Sequence, residues 1–284
     1  MQYQAPDSFD EAVSLLSAEA GVSRILAGGT DVLVQLRSRM VEPDLIVDIK
    51  RIPGVKNIAR ENGGWRIGAA VAGAEMTEHP DVKKDWPGVV EGLDLIGSTQ
   101  VQGRATLTGN LCNGSPAADS VPAMIAAGAM VAITGPNGSR EAKVEDIPTG
   151  PGQTSLAKGE VVTSVFLPAR GENGGDAYLR FIPRTEMDIA VVGCGINLTL
   201  DGDKIATARV SLGAVAPVAL LVQECADAII GTSLDEAALD ALAAAASAAC
   251  NPISDKRGTV EFRTHIAGVL AKRAAKIAYN RAKG

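Results

Sequence analysis

Aromatic side chains make up only 3% of this 284-residue chain, histidine occurs twice, and no two of its four cysteines are spaced as C-x-x-C. Each scarcity removes a class of chemistry. No pair among Cys112, Cys194, Cys225 and Cys250 has the spacing that zinc and iron–sulfur sites use, and the chain does not look like a disulfide scaffold. Four reduced thiols, packed mostly as small apolar groups, are expected instead. His79 precedes Pro80 in a polar loop and His265 falls within a predicted helix. Neither sits in a metal or nucleophile pattern, so structural or solvent roles are expected. The chain contains no G-x-S-x-G elbow, no H-E-x-x-H pair and no P-loop lysine. If it serves an enzyme, a bound cofactor carries the reactivity.

Long hydrophobic runs are absent as well. None approaches the roughly 20 residues needed to span a bilayer, and the N-terminus "MQYQAPDSFDEAVSLL" has neither a basic start nor an apolar h-region. A cytoplasmic chain without a membrane segment is expected. The net charge of −6 and a pI near 5.1 argue against nucleic acid as a partner. Basic residues do gather late, at Lys256, Arg257, Arg263, Lys272, Arg273, Lys276, Arg281 and Lys283. They read as the solvated face of a C-terminal helix, with a docking patch as the alternative.

What the sequence does have is 46% hydrophobic residues and 31 glycines, enough for a large core cut by tight turns. Ser8 with Glu11 opens a helix running to about residue 19. "SRILA" (23–27) reads as a strand, "GGT" (28–30) as a turn, "DVLVQLRSR" (31–39) as a helix and "DLIVDI" (44–49) as a strand. Further short apolar runs, "WRIGAAV", "MVAIT" and "VVTSVFLP", follow up to Pro168. The polar, glycine-bearing "ARGENGGD" (169–176) is the best linker candidate. Beyond it, "AYLRFIP", "AVVGCGINLTL" and "KIATARVSLGAV" read as an antiparallel meander, with a hairpin at Asp201–Gly202. Ser233 with Glu236 predicts a capped helix ending at Asn251–Pro252, and a final helix covers about 259 to 281. The fold class expected is α+β.

Two glycine-bearing stretches stand out. "ILAGGTD" is a strand, two glycines and a helix start, where backbone N–H groups can meet phosphate. "TLTGNLCNGSPAADSVPAM" (106–124) is a second, crowded with small hydrogen-bonding residues beside aliphatic sequence. Glycines there let the main chain approach a pyrophosphate, and Thr106, Thr108, Asn110, Asn113 and Ser115 can donate from their side chains. Asp119 offers acceptors to sugar or ribityl hydroxyls. Asp48, twenty residues after Gly28, invites a Rossmann reading, but the G-x-G-x-x-G fingerprint is missing. Its nearest match, "GCGINL" (193–198), alternates like a strand. With so few aromatics, any flat ring must rest on aliphatic side chains and backbone.

Five ordered motifs carry a resemblance: "AGGTD" at 27–31, "TLTGN" continuing into "SPAAD" at 106–119, "RFIPRTEMDIA" at 180–190, "VSLGAVAP" at 210–217 and "ISDKRG" at 253–258. In these the chain resembles the FAD-binding medium subunit of the molybdenum hydroxylases, the xanthine dehydrogenase and carbon monoxide dehydrogenase type, nearly end to end. The resemblance implies that Leu26, Ala27, Gly28, Gly29, Thr30, Asp31 and Val32 wrap the FAD pyrophosphate, with Thr106, Gly109 and Asn110 completing the cradle. It places Ser115 near the ring system, Asp119 on flavin-side hydroxyls, Ile96 and Val162 along the pocket, Arg180 at a basic position usually held by lysine, and Ile189 at the flavin face. Three departures are visible. Thr108 replaces the first glycine of the usual T-I-G-G motif, Arg180 replaces lysine, and Thr185 stands where a second arginine is common.

The resemblance further implies two FAD-binding subdomains, at 1–58 and 59–170, and a C-terminal α+β domain at 175–284. A molybdopterin-binding large subunit and a small subunit with two [2Fe–2S] clusters would be its partners, in a dimer of three-subunit units. Electrons would pass from those clusters through this FAD to an external acceptor. Two rivals remain at this point: a self-contained FAD oxidoreductase that binds its own substrate, and a scaffold that has lost the cofactor.

Overall fold

The structure is a computed structural model describing residues 1–284. The chain opens with β1 (Gln2–Gln4), β2 (Ser23–Leu26) and β3 (Leu45–Asp48), which form a small parallel sheet in the order β1-β3-β2. The helix Phe9–Ala18 is capped as its sequence predicts, the Glu11 N–H donating to Ser8 Oγ at 3.1 Å. It buries Ala12, Val13 and Leu16 on that sheet.

A second sheet is antiparallel. Its strands are β4 (Ile58–Glu61), β5 (Gly64–Gly68), β6 (Met130–Gly135), β7 (Gly138–Lys143) and, after a short hairpin of β8 (Pro148–Gly150) and β9 (Gln153–Thr154), β10 (Val161–Leu167). They run β4-β5-β10-β6-β7. Between β5 and β6 the chain leaves the sheet for several helices, among them Pro87–Asp94, Leu107–Cys112 and Ser120–Ala127. Trp86, Leu93, Leu111, Met124 and Ile125 from this excursion form the core against Ile67, Ile133 and Val165 of the sheet. His79 caps the helix Pro80–Asp85 and meets Trp65 edge-on, a structural role.

The predicted meander is present as β11 (Gly174–Phe181), β12 (Val192–Asp201), β13 (Lys204–Gly213) and the short β14 (Leu220–Leu221). Gly202, at φ +58°, turns the β12–β13 hairpin. The last helix, Val260–Lys283, lies on this sheet through Ala267, Ala271, Ala274, Ala275, Ala278 and Ala282. That spacing of small side chains lets the helix approach closely. A Cβ on Gly175 would come within 2.6 Å of the Ala282 nitrogen. Close alanine and glycine contacts therefore fill space that aromatics usually occupy.

The same device explains "GCGINL". Tyr178, Arg180, Gly193, Gly195, Ser211 and Gly213 share one face of the sheet, which packs on the helix Ser120–Ala127. A Cβ on Gly195 would sit 2.6 Å from the Pro122 carbonyl oxygen and 3.0 Å from Ala123 Cα, and one on Gly213 would sit 2.6 Å from Pro122 Cγ. Those glycines serve helix–sheet contact and not phosphate. Gly195→Val is expected to destabilise the chain by about 1–3 kcal/mol through overpacking. Thermal unfolding at fixed FAD concentration measures it, and an unchanged midpoint would contradict this packing.

Three sequence expectations are corrected. The segment 169–176 is not wholly a linker, because β11 already begins at Gly174 and Asp176 is buried, paired with Arg170 and accepting from the Gly88 N–H at 2.8 Å. The alanine-rich helix is capped by Asp235, whose Oδ1 accepts from the Ala238 N–H, and not by Ser233. Leu234 adopts φ +56° between them, which no helix can continue through. Finally, the late basic residues are not all solvated. Arg263 is buried, donating to the carbonyls of Val191 and Ala214, while Arg281 donates to the Asp176 carbonyl and pairs with Glu91. The four cysteines are free, as expected. No helix is long and apolar enough to cross a membrane.

Candidate cofactor site

The first glycine turn leaves β2 at Leu26 and enters the helix Val32–Arg37. Gly29 holds φ +85°, a conformation that favours glycine. Gly28 is needed for a different reason. A Cβ there would fall inside van der Waals distance of the Arg104 carbonyl oxygen and 2.8 Å from its carbon. The first turn is thus pressed against the chain just ahead of the second. Thr106 there caps the helix Leu107–Cys112, its Oγ accepting from the Gly109 N–H at 2.9 Å. Gln35 bridges the two by donating to Asn113 Oδ1 at 3.0 Å.

Between the turns lies a cavity of about 650 Å³. Ala27, Gly28, Gly29, Thr30, Asp31 and Val32 line it from the first turn, and Thr106, Gly109 and Asn110 from the second, with Ile96 and Val162 alongside. Eleven of the sixteen residues singled out in the sequence thus meet at one cleft. The other five do not. Leu26 points into the fold and is buried. Ser115 accepts from the Ala117 N–H at 3.2 Å and stands off the cavity. Ile189 is 44% exposed on a turn of the C-terminal unit.

Asp119 and Arg180 face each other away from the cleft as a buried ion pair, Nη1 to Oδ2 at 2.7 Å. The Tyr178 hydroxyl donates to the other Asp119 oxygen at 3.0 Å. Burial pushes the Asp119 carboxyl up to about 6, against the opposing pull of Arg180 and Tyr178. Asp48, the Rossmann-like acid, is likewise away from the cavity, engaged by Tyr3 and Lys50.

The donor set fits a dinucleotide. The backbone N–H groups of Gly28, Gly29, Thr30 and Asp31, and of Thr106 and Thr108 in the second turn, have no acceptor within the chain. Unmatched donors at two adjoining turns suit a diphosphate. Side chains supply less than the sequence suggests. Thr108 is buried and donates to the Ala69 carbonyl at 2.7 Å, so its hydroxyl is committed to the fold. It sits within a helix and needs no glycine-only conformation, which is how it replaces the usual glycine. Asn110 Oδ1 accepts from the Ser120 N–H and hydroxyl, leaving its amide hydrogens for a ligand. The Asp31 carboxyl is raised by loss of hydration in the cavity wall, and burial pushes the Cys112 thiol up to about 12, which makes it an inert wall atom.

A third wall is not foreseen from the sequence. Thr154 at the end of β9 and Leu156, Lys158 and Gly159 between β9 and β10 line the cavity, as do Arg24, Met40 and Val41. The Gly152 N–H ties this segment to the Gly114 carbonyl at 2.9 Å. Its signal is present in "TGPGQTS", another polar, glycine-bearing stretch between aliphatic runs.

Comparison with known proteins gives the family. Residues 1–170 match the family model described as the FAD binding domain in molybdopterin dehydrogenase, and residues 177–278 match the CO dehydrogenase flavoprotein C-terminal domain. The carbon monoxide dehydrogenase medium chain of Hydrogenophaga pseudoflava is 32% identical over 99% of this chain and 97% of its own length. The xanthine dehydrogenase FAD-binding subunit of Escherichia coli O157:H7 is 30% identical, covering 95% and 93%. Among solved structures, carbon monoxide dehydrogenase from H. pseudoflava superposes with a TM-score of 0.95 at 33% identity, covering 99% of this chain and 98% of that one. Quinoline 2-oxidoreductase from Pseudomonas putida 86 gives 0.92 at 27% identity, covering 100% and 98%. With both halves of its length matched in order, the chain belongs to the family of FAD-binding medium subunits of the molybdopterin dehydrogenases.

Proposed function

We propose that this chain is the electron-transfer subunit of a molybdenum-containing hydroxylase, with FAD held between the two glycine turns. The observation that carries it is that the residues whose backbone N–H donors are unmatched, 28–31 with Thr106 and Thr108, line one cavity. When bound, FAD supplies the redox centre through which electrons from a partner's [2Fe–2S] clusters reach an external acceptor. The chain's own residues bind and orient. Backbone donors at the turns meet the diphosphate, while Ile96, Val161 and Val162 give the cavity apolar lining. No side chain acts as acid, base or nucleophile on an organic substrate. A molybdopterin-binding large subunit carries that step, and a small iron–sulfur subunit supplies the electrons, in a dimer of three-subunit units working in the cytoplasm. Residues 1–58 and 59–170 act as the two FAD-binding subdomains, and 175–284 as the C-terminal domain.

The test is a visible spectrum of the chain purified with its partners, before and after addition of the complex's reducing substrate. Flavin absorbance that bleaches on reduction is expected. A complete assembly with no flavin band would refute the proposal, and so would substrate turnover by the isolated chain, the behaviour of a self-contained flavoenzyme.

A further inference from the structure

The helix Val32–Arg37 follows the first glycine turn, and none of its six residues is buried. Four of the six are aliphatic. One side of the segment faces the cavity through Val32, Gln35, Met40 and Val41. Leu33 and Val34 do not line the cavity, and they are 49% and 62% exposed. A single exposed leucine needs no explanation, but an apolar helical turn left bare on the wall of a cofactor cavity does.

The helix ends in a Schellman motif, with the Met40 N–H donating to the Gln35 carbonyl at 2.9 Å and the Arg39 N–H to the Leu36 carbonyl at 3.1 Å. The left-handed position of that motif is normally glycine. Here it is Arg39, at φ +57°. A side chain in that conformation is strained, a cost that glycine would not carry. Arg37 and Arg39 are both exposed and neither makes an ion pair, although the chain as a whole carries a net charge of −6.

We propose that Leu33, Val34, Arg37 and Arg39 form the docking face for the protein that delivers electrons to the bound flavin, through a partner surface with an apolar centre and a carboxylate rim. This rests on the electron-transfer function proposed above. Continuity selects the occupant: the other side of the same segment walls the cavity, so a partner seated here lies one helix from the cofactor. Charge selects its chemistry, because residues 32–41 hold two unpaired arginines and no acid. A second copy of this chain would set arginine against arginine. A bilayer surface suits a helix with an extended basic face opposite aromatic anchors, and residues 32–41 hold no aromatic residue.

Binding of the FAD-loaded full-length chain to the purified [2Fe–2S] subunit of its assembly, measured by calorimetry at low and high salt, tests the proposal. Val34→Asp is expected to weaken binding about tenfold or more. Arg37→Glu should do the same at low salt, with a smaller effect at high salt. Arg39→Gly separates docking from folding, since it relieves the left-handed strain and holds or raises the melting temperature while binding weakens. All three variants should keep the wild-type FAD content, because none of these side chains lines the cavity. Tight wild-type binding that the three variants leave unchanged would overturn the docking face alone. The docking face also falls if the variants instead abolish binding to phosphatidylglycerol vesicles, or self-association in sedimentation. A wild-type chain that neither binds the iron–sulfur subunit nor is reduced by it would overturn the electron-transfer function itself.

Discussion

Gly28→Ala is expected to strip most of the flavin from the assembled complex. The added methyl group would collide with main-chain atoms, the carbonyl of Arg104 and Cα of Ala105, and not with a side chain able to rotate away. The two turns must then separate, which overpacking data place at about 1–3 kcal/mol. If that separation is charged to the bound state, FAD affinity falls roughly tenfold to a hundredfold. Displacing the N–H groups of residues 28–31 from those of Thr106 and Thr108 adds to the loss. Gly103→Ala is the control on the same loop. Its Cβ would meet only the Gln100 carbonyl oxygen, at an ordinary 3.5 Å, and its φ of −62° suits any residue. The flavin-to-protein ratio of each purified complex, read from absorbance, distinguishes them. A Gly28→Ala complex with full flavin would show that contact between the turns does not shape the site.

Both turns were legible in the sequence because each is a local event, in which a strand or loop must change direction and enter a helix within a few residues. "AGGTD" announces that geometry through its glycines and "TLTGN" shows its turn the same way, while the cap that Thr106 places on the helix Leu107–Cys112 was not read from it. The hairpin at Gly202 and the strand nature of "GCGINL" were legible for the same reason. What the sequence did not disclose depends on separation. Asp119 meets Arg180 across 61 residues, and the Thr108 hydroxyl finds the Ala69 carbonyl across 39. Composition marks such groups as polar without saying whether a ligand or the fold will use them. Of the wall at 152–162 only Val162 was named; the rest was missed because its glycines belong to a two-strand hairpin and the loop after it, not to a helix start. Arg263 shows the reverse error, since a basic residue on a helix was assigned to water and instead holds two strand-end carbonyls together.

Arg180→Met is expected to destabilise the chain by about 3–5 kcal/mol at pH 8, because removing one partner of a buried ion pair leaves the other uncompensated. The pair joins the start of the helix Ser120–Ala127 to β11, so the loss loosens the C-terminal sheet against the FAD-binding half. The deficit has a defined pH dependence. Burial already pushes the Asp119 carboxyl up to about 6 with Arg180 in place, and without that charge it moves higher. An acid whose folded pKa lies above its unfolded value holds its proton longer in the folded state, so the folded state gains on the unfolded as pH falls through the folded pKa. Wild type gains this way only near pH 6 and below, whereas the variant begins to gain at a higher pH. Its deficit relative to wild type should therefore shrink as pH is lowered from 8 toward 6. Adding Asp119→Asn removes the titrating group and should flatten that dependence while recovering part of the stability. Thermal unfolding of the FAD-saturated proteins at pH 6 and 8 measures both effects, saturation keeping ligand linkage constant. An Arg180→Met deficit that is the same at both pH values would mean that Asp119 carries no charge needing Arg180, and the ion pair would lose its role as the pin between the two halves.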